Sequence, residues 1–315
     1  MIKSKNNNLL ILLGPTGVGK SDISTKLAKK MSDIEIISAD SMQIYKYMDI
    51  GTAKPNKSIL KAKKHHIIDI VDPSDNFDVT KYHKLATNII LDAFKRGKIA
   101  ILLGGSGLYI SSIINPLFSG PAKNIGYREI LEEEAKIHGK NYLHEKLSKI
   151  DPISASKIGT NDLRRIIRAL EVFKSTGKTI SYLKERDFDK KVKFKYYIVG
   201  LKRNRENLYK RINLRVDRMI EDGFIGEVKM LREMDYKEDL NSMQSLGYKQ
   251  INNHLNGIYT KEVAIDLIKI KTRHYAKRQM TWFKNKIKNI EWIDLDKHSE
   301  NEAVSKIIKT INKVR

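Results

Sequence analysis

The sequence predicts an α/β protein: a parallel sheet flanked by helices and carrying an all-helical insertion. Three observations lead there. Short apolar runs alternate with helix-length amphipathic stretches. The first run ends in a glycine-rich turn that opens a helix. From about residue 122 to 190 the periodicity is helical, with no convincing strand, and the α/β pattern then resumes.

In chain order, residues 9–13 (LLILL) form the first apolar run, ending at Gly14, and a helix is expected over 20–31. A second run, 34–37, ends at Ser38-Ala39-Asp40. Residues 67–71 are expected as a third strand before Asp72-Pro73, 80–96 as an amphipathic helix, and 99–103 as a fourth strand ending in Gly104-Gly105. The pattern changes near Asn115-Pro116 and Gly120-Pro121. The helical stretch beyond is broken at Gly139, Asp151-Pro152, Gly159 and Gly177. A strand returns at 196–201, and helices follow until a late strand at 290–293 and a final amphipathic helix. The predicted organisation is a core over 1–118 and 195–315 with an insertion over 119–194. Parallel sheets of this kind bind ligands off the carboxyl ends of their strands.

At 315 residues with 41% hydrophobic and 31% charged side chains, the chain suits one large domain with a smaller insertion. The absence of cysteine rules out disulfides and thiolate-ligated metals and fits a reducing cytoplasm. The apolar run near the start is too short for a signal peptide or membrane helix, so no membrane association is expected. The net charge of +23 suggests a polyanionic partner. A coding bias toward AT would produce the lysine excess unaided, so the arginines carry more information. They gather at Arg164, Arg165 and Arg168, between Arg203 and Arg218, and at Arg273 and Arg278.

Gly14-Pro15-Thr16-Gly17-Val18-Gly19-Lys20-Ser21 matches G-x-x-x-x-G-K-[ST] between a strand and a helix, which makes the core P-loop NTPase-like. Its glycines let backbone N–H groups turn toward phosphate oxygens, and the helix terminus adds partial positive charge. Lys20 supplies a point charge, and the Ser21 hydroxyl suits Mg²⁺. The loop therefore binds a diphosphate or triphosphate, ATP among them. Many such proteins place an Asp after a later strand to hold Mg²⁺; here the fourth strand ends in Gly104-Gly105-Ser106-Gly107. Asp40 should lie beside the phosphate loop, as a helix cap or as a group that chemistry needs there. His65 and His66 are adjacent on an extended segment, so their side chains diverge and do not form a metal pair.

The strings GPTGVGKS (14–21), DSMQIYKYMDIGTAKP (40–55), HHIIDIVDP (65–73), GGSGLYI (104–110), NDLRRIIRALEVF (161–173), SLGYKQ (245–250) and TRHYAKRQMTWF (272–283) closely resemble the tRNA dimethylallyltransferases. The likeness runs in order from about residue 9 to 285. It implies that the P-loop holds the diphosphate of dimethylallyl diphosphate with Mg²⁺. The acceptor would be the exocyclic amine of the adenosine immediately 3′ of the anticodon, in tRNAs that read codons beginning with U. By the family pattern Asp40 is the general base, and Asp40, Ser41, Met42 and Gln43 contact the flipped-out base. Gln43 is expected to read an adenine edge through its amide. Ser106 stands where the family usually has Thr, keeping a hydroxyl for the diphosphate or base. Arg128 falls at a tRNA-contacting position, residues 164–168 (Arg164, Arg165, Ile166, Ile167, Arg168) lie against the anticodon stem-loop, and Arg215 is near the diphosphate.

The chemistry is consistent with those roles. The adenine amine is a poor nucleophile, so a carboxylate that accepts its proton as the bond forms helps by about 10²–10⁴-fold. Lys20, the loop N–H groups and Mg²⁺ would stabilise the departing diphosphate. Arg273 and Arg278, interleaved with Tyr275, Trp282 and Phe283, suit an RNA backbone and unstacked bases, although one face of that helix must be buried. Three alternatives stay open: a P-loop small-molecule or nucleoside kinase, an RNA-binding NTPase switch, and a prenyltransferase acting on free adenine nucleotides. A tRNA enzyme, working as a monomer, is the expectation: the kinase and free-nucleotide readings have no use for the arginine-bearing insertion, and the switch reading calls for a carboxylate after the fourth strand, which is absent.

Overall fold

The computed structural model describes residues 8–115, 120–188 and 194–314. In chain order the first part of the core holds β1 (Asn8–Leu13), α1 (Lys20–Lys30), β2 (Ile34–Ala39), α2 (Lys57–Ala62), β3 (His65–His66), α3 (Val79–Lys95), β4 (Ile99–Gly104) and α4 (Gly107–Ile114). The insertion holds α5 (Ile125–His138), α6 (Lys140–Ile150), α7 (Pro152–Ala155), α8 (Leu163–Thr176) and α9 (Ile180–Phe188). The core then continues with β5 (Lys195–Lys202), α10 (Arg205–Glu221), α11 (Phe224–Glu233), α12 (Tyr248–Leu255), α13 (Lys261–Lys286), β6 (Ile290–Asp294) and α14 (Glu300–Val314). The six strands form one parallel sheet in the order β3-β2-β4-β1-β5-β6.

The central strands are continuous apolar runs because helices cover both faces of a parallel sheet. Leu9 to Leu13 are essentially inaccessible, and Leu10 and Leu12 pack with Ile23 and Leu27 of α1 and with Val304 and Ile307 of α14. The expected third strand is corrected. Only His65–His66 pairs with β2, while 67–71 is a loop. Ile67 and Asp69 take left-handed backbone (φ 62° and 57°), which ends extension there. The loop is instead laced onto the turn after β2, with the Asp69 and Ile70 N–H groups donating to the Gln43 and Ile44 carbonyls. His66 Nε2 contacts the Glu35 carboxylate, and His65 Nδ1 contacts the Lys63 carbonyl.

The insertion spans 115–192, a few residues earlier than expected, and has its own core of Leu131, Leu143, Leu147, Ile166, Ile167 and Leu170. Asp162 caps α8 through the Arg165 N–H, and Gly177 ends it in left-handed conformation at φ 66°. Ile166 and Ile167, expected with the RNA-contacting segment, are corrected to core residues: the apolar stripe of α8 faces inward. Arg164 and Arg165 are exposed. Arg128 and Arg168 both pair with Glu171, whose side chain is fully buried. Burial alone would raise the Glu171 pKa, but bonds from Arg128, Arg168 and the Asn124 N–H outweigh it and hold the carboxyl at about 2.

Glu171→Ala strands two partly buried cations and is expected to cost about 3 kcal/mol or more. Hydrogen exchange across 120–188 should accelerate while β1 and β4 stay protected. Because the folded-state pKa is depressed, this contribution is present above the unfolded value near 4.5 and is lost as pH falls toward about 2. Acid unfolding of the insertion in that window checks the sign.

Candidate active site

The phosphate loop joins β1 to α1, and its conformation follows from its glycines. Gly17 and Gly19 have φ of 79° and 112°, which L side chains rarely adopt. Lys20 curls back over the loop, its Nζ donating to the Gly14 and Pro15 carbonyls at 2.8 and 2.9 Å. Three arginines from beyond the insertion hold the loop from outside. Arg203 Nε donates to the Val18 carbonyl, Arg211 Nε to the Gly17 carbonyl (3.1 Å each), and Arg215 Nη1 to Thr16 Oγ1 at 3.3 Å.

Asp40 follows β2 and shares a cleft of about 790 Å³ with Lys20, Ser21, Gln43 and Arg215. Its Oδ1 accepts the Met42 N–H at 2.9 Å and the Gln43 N–H at 3.3 Å, so Asp40 does serve as a turn cap. Ser106 Oγ accepts the Ser41 N–H at 3.0 Å and donates to Ser41 Oγ at 3.3 Å, joining the turn after β4 to the turn after β2. Burial pushes the Lys20 ammonium down to about 8, opposed by the Asp40 charge and assisted by Arg215. Burial also lowers Arg215, and the Asp40 charge again opposes it. One carboxylate and two half-buried cations thus share one electrostatic neighbourhood.

Helix α13 closes the site. Gln279, 93% shielded from solvent, accepts the Thr16 N–H at 2.9 Å and donates to the Gly105 carbonyl at 2.8 Å, tying the phosphate loop to the β4 turn. The glycines of that turn leave room for α13: a Cβ on Gly105 would lie 2.5 Å from Gln279 and one on Gly107 2.0 Å from Trp282. Tyr275, one helical turn before Gln279, lines the cleft. Burial, then the Asp40 charge, raises its hydroxyl to about 12, while bonds with Ser106 and Gln279 draw it down.

The residues expected from the sequence therefore divide. The loop residues 14–21, Asp40, Ser41, Met42, Gln43, Ser106 and Arg215 lie together in the core. Arg273 braces α10, donating to Asn213 Oδ1 at 2.9 Å, and Arg278 is exposed over the Tyr275 ring. Arg128, Arg164, Arg165 and Arg168 belong to the insertion. Sequence reasoning missed Arg203 and Arg211 as loop contacts and Gln279 as the tie between loop and β4 turn, and it read Tyr275 as an RNA-facing aromatic rather than part of the cleft. It also missed Glu227, which binds the turn at 49–51. The i, i+4 spacing of Tyr275 and Gln279 was a usable signal. So was a glutamate on the apolar stripe Phe224, Val228, Leu231.

A phosphate loop at a strand's carboxyl end, half-buried cations beside it and a carboxylate in the same cleft define a P-loop protein with an acid–base group at its phosphate site. The family model described as IPP transferase matches residues 43–286. The chain is 49% identical over 304 residues to the tRNA dimethylallyltransferase of Carboxydothermus hydrogenoformans, covering 96% of this chain and 97% of that one. It is 46% identical over 301 residues to the enzyme of that name from Alkaliphilus oremlandii, covering 95% of each. Among solved structures it is similar to the full-length tRNA isopentenylpyrophosphate transferase of Bacillus halodurans (40% identity, TM-score 0.72, 98% and 96% covered). It is also similar to a eukaryotic dimethylallyltransferase acting on tRNA (30% identity, TM-score 0.82, 98% and 80% covered). The chain belongs to the IPP transferase family, whose members here are named for dimethylallyl transfer to tRNA.

Two expectations follow. Bound diphosphate should raise the lowered Lys20 pKa, so diphosphate binds with proton uptake above about pH 8. Its Kd should then weaken by up to about tenfold per pH unit beyond that point. Calorimetric titrations from pH 7 to 10 should find this component in the wild type and not in Lys20→Met. Gln279→Leu removes both ties of the phosphate loop and leaves the Gly105 carbonyl unpaired. Diphosphate affinity should fall about tenfold, for roughly 1–3 kcal/mol of lost bonding, with the far-ultraviolet circular dichroism spectrum unchanged.

Proposed function

We propose that this chain transfers a dimethylallyl group from dimethylallyl diphosphate to N6 of the adenosine immediately 3′ of the anticodon, in tRNAs reading codons that begin with U, releasing diphosphate. The observation that carries the reading is the convergence of Asp40 with Lys20 and Arg215. Donor-side charge stabilisation and acceptor-side proton removal need these groups within one cleft. The relatives are named tRNA dimethylallyltransferase, and the kinase alternative has no comparable support.

In the proposed reaction the N6 lone pair forms a bond to the allylic carbon as its C–O bond to diphosphate breaks. A proton of the amine passes to Asp40. Its Oδ1 is committed to the Met42 and Gln43 N–H groups, so Oδ2 is the accepting oxygen. Lys20, Arg215 and the loop N–H groups hold the leaving diphosphate as its charge grows. The allylic carbon becomes cation-like, and the buried floor of the cleft limits its capture by water. Arg164, Arg165 and Arg278 are exposed cations suited to the RNA backbone.

The residues fit Mg²⁺ carried by the donor. Ser21 opens on the cleft, and among the described residues no group of three or more His, Cys, Asp or Glu side chains could hold a metal. An ion bound mostly by phosphate oxygens and water, with Ser21 as a protein ligand, matches that donor set. When bound, it supplies further positive charge at the diphosphate. Among the described residues no helix is long and apolar enough to cross a membrane. A cytoplasmic monomer is the proposed working form, since one chain contributes the phosphate loop, Asp40 and the arginines.

Single-turnover transfer from labelled dimethylallyl diphosphate to an unmodified tRNA, with Mg²⁺, tests the assignment. Asp40→Asn should slow the chemical step by about 10²–10⁴-fold. It should leave diphosphate binding equal or tighter, because a repelling charge is gone. An unchanged rate in that variant would remove Asp40 as the base.

A further inference from the structure

The turn that carries Gln43 is held by a residue outside the cleft. Glu227 of α11 is 8% exposed, and its carboxylate accepts four hydrogen bonds. The Asp49 and Ile50 N–H groups donate to Oε2 at 2.9 and 2.6 Å, and the Gly51 N–H and the Tyr248 hydroxyl donate to Oε1 at 3.1 and 2.6 Å. The Phe224 and Tyr248 rings press so closely on Gly51 that a Cβ would lie 2.3 and 2.6 Å from them. Lys54, whose side chain is 2% exposed, closes the turn from the other end by bonding to the Tyr45 carbonyl and the Asp49 and Asp69 carboxylates. The main chain at 49–54 is thereby fixed in place.

That fixed main chain governs Gln43. Its Nε2 donates to the Thr52 and Ala53 carbonyls at 3.3 and 3.1 Å, so the NH2 end of the amide faces the main chain. Turning the amide over would set Oε1 against two carbonyl oxygens, so the orientation is chemically determined. Gln43 therefore meets the cleft as an acceptor only.

We propose that Glu227 is a positioning residue for acceptor recognition: by fixing the 49–54 main chain it locks Gln43 as an acceptor, so that Gln43 Oε1 holds one N–H of the acceptor's exocyclic amine while the other proton leaves to Asp40. This rests on the transfer reaction proposed above. It narrows the expectation that Gln43 reads an adenine edge through its amide to a reading by the amide oxygen alone. With one N–H held by Oε1, the amine's other hydrogen and its lone pair are left for Asp40 and the allylic carbon. The adenine N7 has no donor from Gln43 in this arrangement.

The test uses the full chain, dimethylallyl diphosphate with Mg²⁺, and two anticodon stem-loop RNAs that differ only in adenosine or 7-deazaadenosine at the acceptor position. The wild type should use both with kcat/KM within about threefold. Glu227→Gln, isosteric but unable to accept all four bonds, should raise the RNA KM about tenfold with the donor KM unchanged. Its freed Gln43 amide should then engage N7, so that a 7-deaza penalty of about fivefold or more appears, and adding Gln43→Ala should remove that penalty. Tyr248→Phe, which deletes one bond to Glu227, gives a milder variant in the same direction should Glu227→Gln fold poorly. A 7-deaza penalty above about thirtyfold in the wild type that Gln43→Ala abolishes would overturn the proposal. So would folded Glu227→Gln and Tyr248→Phe variants with wild-type KM and wild-type base preference. No transfer to the adenosine RNA by the wild type would instead refute the underlying reaction.

Discussion

Two half-buried cations at the phosphate loop, with one carboxylate acting on both, set the terms for the rest of this molecule. Lys20 and Arg215 are partly shielded from water there, and Asp40 is the negative charge that both of them feel. Burying charge costs free energy unless an opposite charge is close. The cleft's other carboxylates include Asp22, Asp49 and Asp69, which are paired with Arg211 and Lys54, so Asp40 alone faces Lys20 and Arg215 and their immediate neighbourhood has room for an anion. In the proposed reaction a diphosphate would supply that charge where the leaving group forms, with Lys20 turning to it from the Gly14 and Pro15 carbonyls.

The surrounding structure keeps that imbalance in place. Arginines from the turn after β5 and from α10 grip the loop carbonyls from outside, and Gln279 joins the loop to the β4 turn. Ser106 carries the connection on to the turn that bears Asp40. The strands provide the frame, while the elements after the insertion provide the clamps. A chain cut after β4 would retain the phosphate loop and lose every one of these arginine and glutamine contacts.

Much of this was readable in the sequence. Strands β1, β2 and β4 announce themselves as apolar runs because they are covered on both faces, while β5 and the edge strand β6 show shorter apolar stretches because they are only partly covered. The phosphate loop reads clearly because its backbone geometry requires those glycines. The run at 67–71 misled because apolar content reports burial, not extension: Ile67 is 2% exposed yet lies in a left-handed turn. Ile166 and Ile167 misled in the opposite way, since a segment flanked by arginines still turns its apolar stripe inward. The bonds of Gln279 to Thr16 and of Glu227 to the 49–51 turn span 263 and about 177 residues. Local pattern holds no information about pairing at that separation; only the fold brings them together.

The most direct measurement is to let the wild-type chain act on unmodified tRNA with labelled dimethylallyl diphosphate and Mg²⁺, digest the product to nucleosides and oligonucleotides, and locate the label by mass spectrometry. The account predicts one dimethylallyl group per tRNA, on N6 of the adenosine 3′ of the anticodon, with one diphosphate released for each. Label at another atom or nucleotide, or diphosphate released with no label on RNA, would contradict it.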